Sequence, residues 1–523
     1  MVETKSDFLY LTEKFLVRDV IQIPEKEYIV HTEEENVFVF ENRDDIVIDG
    51  MNSTISFAGK VRPFVFRNCR NITIKNMTID YWDPPYTHGE VVSSDGCNFV
   101  IKLYEKNADE VPEVKAYIEY DRYTLAPLKD GNDIYWDCKS VEKIDEQTIR
   151  ITFNNQYSIP PVGTLVVLRH EIYDYDGFTF YDCKNILVEN VKIRCAVGMG
   201  ICAYGCDDLK FLNLEIAPEK ESGRLMSTTG DGIHLMNCSG QVMVENCYFA
   251  YLGDDSFNSH GMFLQVLETD GSIIKAVHPK GYNLLPRTGD IVEFTKAGVL
   301  LPYGEGVVKS ARHSEAGVVL EIEHTSGGAL QIGDYLANAT RNIQLIYQNN
   351  IVENKRCRGI LVQTRNAIIR NNIFKNVSGG GILVFSEDIS FYESIGTRNI
   401  VIENNKLIHN NHAIGKCQGD ISVVSYTTDY KLGGIGVHKN IVIRNNTIED
   451  TAFRGIYVAC AMNVLIESNS IGFDESVTDD VAVVKIEHCS NVLLEQNTLQ
   501  NKERNNQFVE IGEHCKNIAG GNV

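Results

Sequence analysis

Three aspartates in two short motifs have the types and spacing for acid–base chemistry. Gly230-Asp231-Gly232-Ile233-His234 is followed by Gly253-Asp254-Asp255-Ser256-Phe257-Asn258-Ser259-His260-Gly261. Asp231 and Asp254 stand 23 residues apart, the step that also separates Cys183 from Cys206 and Asn440 from Asn463. If that step is one coil of a repeating fold, Asp231 lies beside Asp254 on the neighbouring strand, roughly 5 Å away. Carboxylates crowded this way raise one another's pKa, so one can stay protonated while another is ionised. One donates a proton to a leaving oxygen and the others activate water, which is inverting glycoside hydrolysis. Adjacent strand residues point to opposite faces, so Asp254 and Asp255 need a local bend, which Gly230 and Gly253 permit. The competing reading makes these acids turn caps or ligands of a structural ion.

Candidate substrate contacts surround them. Asn258 and His260 follow the aspartate pair, and His234 lies just beyond Asp231. Arg358 and Glu393 fall on later repeats, from which they reach across a cleft. Trp82, Tyr86 and Trp136 supply aromatic faces for stacking on a sugar.

The elements that must position these residues are legible as a repeat. A turn residue, alternating aliphatics, an Asn and further aliphatics recur as Asn71-Ile72-Thr73-Ile74-Lys75-Asn76 and as Asn185-Ile186-Leu187-Val188-Glu189-Asn190. Later copies begin at Ala367, Asn399, Asn440, Asn463 and Asn491. Period-two alternation predicts strands with one buried face. Asn at the breaks supplies left-handed turns. Short strands repeating every twenty-odd residues without helical periodicity predict an all-β chain built on a right-handed parallel β-helix.

Two stretches break the rhythm, 82–169 and 261–339. Both carry alternating strands but no Asn-bearing phrase, and they read as inserted antiparallel, barrel-like subdomains. The expected order is an N-terminal segment with the first coils (1–81), the first insert (82–169) and central coils bearing the aspartates (170–260). The second insert (261–339) and C-terminal coils (340–523) follow.

Composition excludes several classes. A net charge of −22 opposes nucleic acid or another polyanion as partner. No run of about eighteen apolar residues predicts a membrane span. The opening residues, Met1 to Asp7, show no leader signature, so a cytoplasmic protein is expected unless a leader has been removed. The 14 cysteines do not pair by spacing. Cys69, Cys183, Cys206, Cys238 and Cys489 each open a rung phrase, which predicts a stack of reduced thiols. No metal site and no cofactor are expected, and a homodimer is compatible with these features.

On these residues the chain resembles glycoside hydrolase family 110, the bacterial exo-acting α-1,3-galactosidases, and more distantly the polygalacturonase-type β-helix hydrolases. The resemblance runs through Arg62-Pro63-Phe64-Val65-Phe66, His88-Gly89-Glu90-Val91, Asp231-Gly232-Ile233-His234 and Asp254-Asp255. It continues through Asn258-Ser259-His260-Gly261, Leu301-Pro302-Tyr303-Gly304 and Arg358-Gly359-Ile360. It implies a β-helix with barrel-like inserts that hydrolyses terminal α-1,3-galactosides of oligosaccharides or glycoconjugates with inversion. Polygalacturonases carry Arg-Ile-Lys downstream, where the lysine-bearing site binds a substrate carboxylate. Arg358-Gly359-Ile360 stands there instead, which favours a neutral sugar. Similarity to polygalacturonases makes Asp254 the general acid, with Asp231 and Asp255 activating water; the exchange, Asp231 as acid, stays open.

Three other functions compete: a β-helix glycosidase on another sugar, a polysaccharide lyase, and a non-catalytic carbohydrate-binding β-helix. A lyase needs Ca²⁺ and an Arg or Lys base, and no such lysine is expected beside these aspartates.

Overall fold

The computed structural model describes residues 2–17, 19–96, 98–104, 112–155, 160–282, 285–413, 417–478, 480–500 and 506–520. The rung phrases stack as parallel strands, giving the β-helix expected from the repeat. Ile72, Ile186, Leu209, Val242, Leu345 and Ala367 hold the same position in successive coils, and all are buried. A second parallel sheet stacks Phe64, Phe178, Ile201, Ile233, Phe257 and Ile360 in the same way. The two rows face inward, so each coil's apolar side is covered only by its neighbours.

Asparagine fixes the corners in two ways. Asn71, Asn185, Asn440 and Asn463 adopt left-handed backbone, with φ of 53°, 57°, 58° and 59°, as their short polar side chains allow. Inside the core, Asn350, Asn372, Asn405, Asn446, Asn469 and Asn497 form a ladder in which each amide donates to the next carbonyl oxygen at 2.9–3.1 Å. The cysteines stack too: Cys69 N donates to Cys183 Sγ at 3.4 Å and Cys183 N to Cys206 Sγ at 3.3 Å. The described cysteines are free thiols.

The helix Val2–Val17 lies over one end of the solenoid, where Phe15 packs 4.5 Å from Phe38 and 5.4 Å from Phe64. No rung phrase covers this segment, so the sequence pattern assigns it no element. No helix among the described residues is long and apolar enough to cross a membrane.

The first insert is a seven-stranded antiparallel sheet with edges Asp133–Tyr135 and Cys138–Lys143. Only Trp136 and Asp137 join those edges, so the sheet curls back on itself. The second insert closes into a barrel. Phe257–Thr269, Ile273–Val277, Gly317–Gly327, Pro302–Ser314, Ile291–Thr295 and Tyr335–Asn338 pair in that cyclic order. Phe257–Thr269 belongs to both bodies: its start pairs with coil strands, its end with the barrel. Residue 261, read as the first of the insert, therefore falls inside a strand.

Candidate active site

The strand Ile233–Met236 sets Ile233 opposite Phe257, and Gly232 N donates to Asp255 O at 2.8 Å. This register places Asp231 opposite Asp255, 24 residues on. A 23-residue step predicts Asp254 as that neighbour, but the coil here is one residue longer. Asp254 sits one step earlier, at a bend where a Cβ on Gly253 would lie 2.3 Å from the Thr229 carbonyl oxygen. Only glycine allows so close a backbone approach. On the next coil Arg358 lies opposite Asp255, since Ser256 N donates to Gly359 O at 3.0 Å.

One cleft of about 540 Å³ gathers the candidate residues: Asp231, Asp254, Asp255, Asn258, His260, His234, Arg358 and Glu393 all line it. Trp82, Tyr86 and Trp136 do not line it. The Tyr86 side chain is buried and donates to Met226 O at 2.5 Å, while Trp82 and Trp136 stand exposed elsewhere. The cleft also takes Tyr173, Asp174, His278, Tyr282 and Glu387, none of which carried a motif.

The three carboxylates have unequal surroundings. Asp255 is 0% exposed, Asp231 3% and Asp254 8%. Asp255 receives Arg358 N at 3.2 Å, Nε at 2.9 Å and Nη2 at 2.7 Å, a two-pronged ion pair that fixes its orientation. Asp254 accepts the Tyr173 hydroxyl and lies 3.1 Å from Arg356 Nη1 and 3.7 Å from Arg358 Nη2. Burial alone would push its carboxyl up, but Arg356, Arg358 and Tyr173 outweigh it and hold the group well below the usual carboxylate range. Tyr173 and Arg356 escaped the sequence reading; the one signal for Arg356 was its place two residues before Arg358.

Asp231 behaves oppositely. Burial, then the charges of Asp254 and Asp255, push its carboxyl well above the ordinary value. With neutral imidazoles, the hydrogen bonds agree with a proton there. Burial lowers both His234 and His260, so each imidazole is neutral with one N–H. His260 Nδ1 faces the Gly261 carbonyl at 2.8 Å and must donate. Its Nε2 must then accept from His234 Nε2 at 3.1 Å. That leaves His234 Nδ1 as an acceptor 2.7 Å from Asp231 Oδ2, and the remaining proton belongs to Asp231. These tautomers follow from the partners available.

Lys355 corrects one expectation. It is wholly buried beneath the cluster, with Nζ donating to Arg358 O at 2.6 Å. Burial brings it down to about 8 against the pull of Asp255, Asp254 and Asp231. A lysine does stand by the aspartates, but it does not line the cleft. Asp254, Asp255 and Cys357 bring potential ligand atoms within 4.8 Å of one another. The guanidinium groups of Arg356 and Arg358 already supply the positive charge that a cation would bring to those carboxylates.

The chain is similar to proteins named α-1,3-galactosidases over most of its length. It is 25% identical over 494 residues to α-1,3-galactosidase B of Bacteroides thetaiotaomicron, covering 88% of this chain and 80% of that protein. It is 24% identical over 449 residues to α-1,3-galactosidase A of Bacteroides fragilis, covering 82% of this chain and 74% of that one. No family model matches. Among solved structures, a GH87 α-1,3-glucanase of Streptomyces thermodiastaticus aligns with a TM-score of 0.43 at 11% identity, over 98% of this chain and 66% of that chain. The resemblance first read from motifs is thus matched by similarity to α-1,3-galactosidases across most of the sequence.

Proposed function

We propose that the chain is an exo-acting glycoside hydrolase that releases galactose from non-reducing terminal α-1,3-galactosides with inversion. One observation carries the reading: a single cleft holds three carboxyls in unequal settings, Asp231 against the His234 imidazole and Asp254 and Asp255 against arginines. Similarity to the α-1,3-galactosidases supports the sugar and linkage. Asp231 gives its proton to the leaving oxygen, and Asp254, the most accessible of the three, takes a proton from water. Asp255, clamped by Arg358, holds the carboxyls in register. The geometry thus favours the exchange of roles over the polygalacturonase-like assignment of Asp254 as acid. Inversion is the consistent outcome, because Arg358 and burial keep Asp255 from attacking a sugar, and the partners of Asp254 suit it to activating water.

The test is proton NMR of early hydrolysis of α-1,3-galactobiose in EDTA. β-Galactose is expected before mutarotation. Initial α-galactose, or a trapped glycosyl-enzyme, overturns inversion; loss of activity with chelator favours a lyase-type, metal-dependent site. Asp231→Asn and Asp254→Asn should each cut kcat by roughly a hundredfold or more. On α-galactosyl fluoride, whose leaving group needs no proton, Asp231→Asn should recover and Asp254→Asn should not. The reverse pattern returns the acid to Asp254.

A further inference from the structure

We propose that Asp133 and Tyr135 of the first insert are positioning residues that hold Arg356 on the Asp254 carboxylate, so that the insert forms part of the active site. The inference rests on the hydrolase reading above. The edge strand Asp133–Tyr135 reaches the back of the aspartate bend. Asp133 Oδ2 accepts from Arg356 Nε at 2.5 Å, and Oδ1 from Arg169 Nη2 at 3.3 Å. Arg356 Nη1 donates to Gly253 O at 3.0 Å and lies 3.1 Å from Asp254 Oδ1. Arg169, itself 0% exposed, adds a second donor to Gly253 O at 3.2 Å. Both guanidinium groups lie over the Tyr135 ring, 4.4 Å away for Arg169 and 4.8 Å for Arg356.

Two buried cations therefore face two carboxylates, one from the insert and one catalytic. A guanidinium is a planar fork, and fixing Nε on Asp133 leaves Nη1 one direction in which to point. The Tyr135 ring limits tilt and supplies cation–π attraction in a site with little water. Without Asp133, Arg356 keeps its charge but loses its reference point. The expected consequence is misplacement of Asp254, not loss of sugar binding, because neither Asp133 nor Tyr135 lines the cleft.

The experiment uses the full chain and α-1,3-galactobiose with Asp133→Asn, Asp133→Glu, Tyr135→Phe and Tyr135→Leu. Asp133→Asn and Tyr135→Leu should lower kcat about tenfold or more while KM stays within about twofold. Asp133→Glu and Tyr135→Phe, which keep the charge and the ring, should recover most of the rate. Unchanged kcat in both disruptive variants, or a rise in KM alone, overturns the proposal. If Asp133→Asn fails to fold, Tyr135→Leu decides, since it alters no charge. A second readout needs no turnover: the carboxyl carbon resonance of Asp254 should titrate at higher pH in Tyr135→Leu than in the native chain, and an unmoved midpoint overturns the clamp. A native chain inert on α-galactosides would sink the functional reading while leaving that titration to judge the clamp.

Discussion

Arg358 and Asp255 show how one residue choice decides the chemistry of another. The fork geometry needs a guanidinium, so Arg358→Lys should leave the Asp255 charge partly unpaired and cut kcat by roughly tenfold or more, with a small change in Tm. Steady-state kinetics beside a thermal melt checks this. Asp420 offers a prediction about stability. It is wholly buried, and burial, against a smaller pull from the Thr451 hydroxyl, raises its carboxyl to about 8. The native state therefore holds a proton that the unfolded chain releases near 3.8. That stability is present in acid and lost as pH rises through about 8. Asp420→Asn should gain in Tm over the native chain as pH goes from 6 to 9; a constant difference would refute it. At this scale sequence was a partial guide. Asp231, Asp254 and Asp255 were legible because a motif repeated at coil spacing, but Tyr173 and Arg356 were not. Tyr173 sits on a left-handed turn with φ of 65°, far from any recurring phrase.

The elements explain what a motif could not. Period-two aliphatics revealed the strands, and recurring Asn the turns, because both follow from local physics. Register did not follow: the coil through Asp231 is longer than the one between Cys183 and Cys206, and the extra residue sits in the bend before Asp254, where no periodicity exists to count. The inserts were visible as interruptions, yet their closure depends on pairings such as Phe263 with Ala337 that no local pattern encodes. The internal Asn ladder tests the element directly. Asn405 donates to Asn446 and accepts from Asn372, and its Nδ2 also bonds Ile369 O. Asn405→Ala strands buried partners on both sides and should cost about 2–6 kcal/mol, from two such groups, Asn372 Nδ2 and Ile369 O, at about 1–3 kcal/mol each. Urea unfolding should show the loss with the slope unchanged; a loss below about 0.5 kcal/mol would mean the ladder relaxes around the gap.

At the scale of the whole molecule, charge makes a prediction independent of any side chain. With a net charge of −22, an anionic substrate would bind far better as salt screens repulsion, whereas a neutral galactoside feels little of that field. The rate at limiting substrate, kcat/KM, should therefore vary less than about twofold between low and high ionic strength. A steep rise with salt would point to an acidic sugar.

The pairing of Asp255 with Arg358 spans 103 residues of chain, because the barrel intervenes between adjacent coils. During folding this contact closes a loop more than four times longer than an ordinary coil, an added entropic cost of about 1 kcal/mol. Coils on either side can zip from local contacts, while this one waits for the barrel to bring its ends together. The cleft should accordingly mature after the coils whose neighbours are all local. In pulsed hydrogen exchange during refolding, the amides of Ile360–Val362 should gain protection after those of Ala461–Glu467, whose strand neighbours lie 23 and 28 residues away. A nascent chain would thus hold a largely wound solenoid before its carboxylates meet their arginines, acquiring catalytic competence as a final and separable kinetic event.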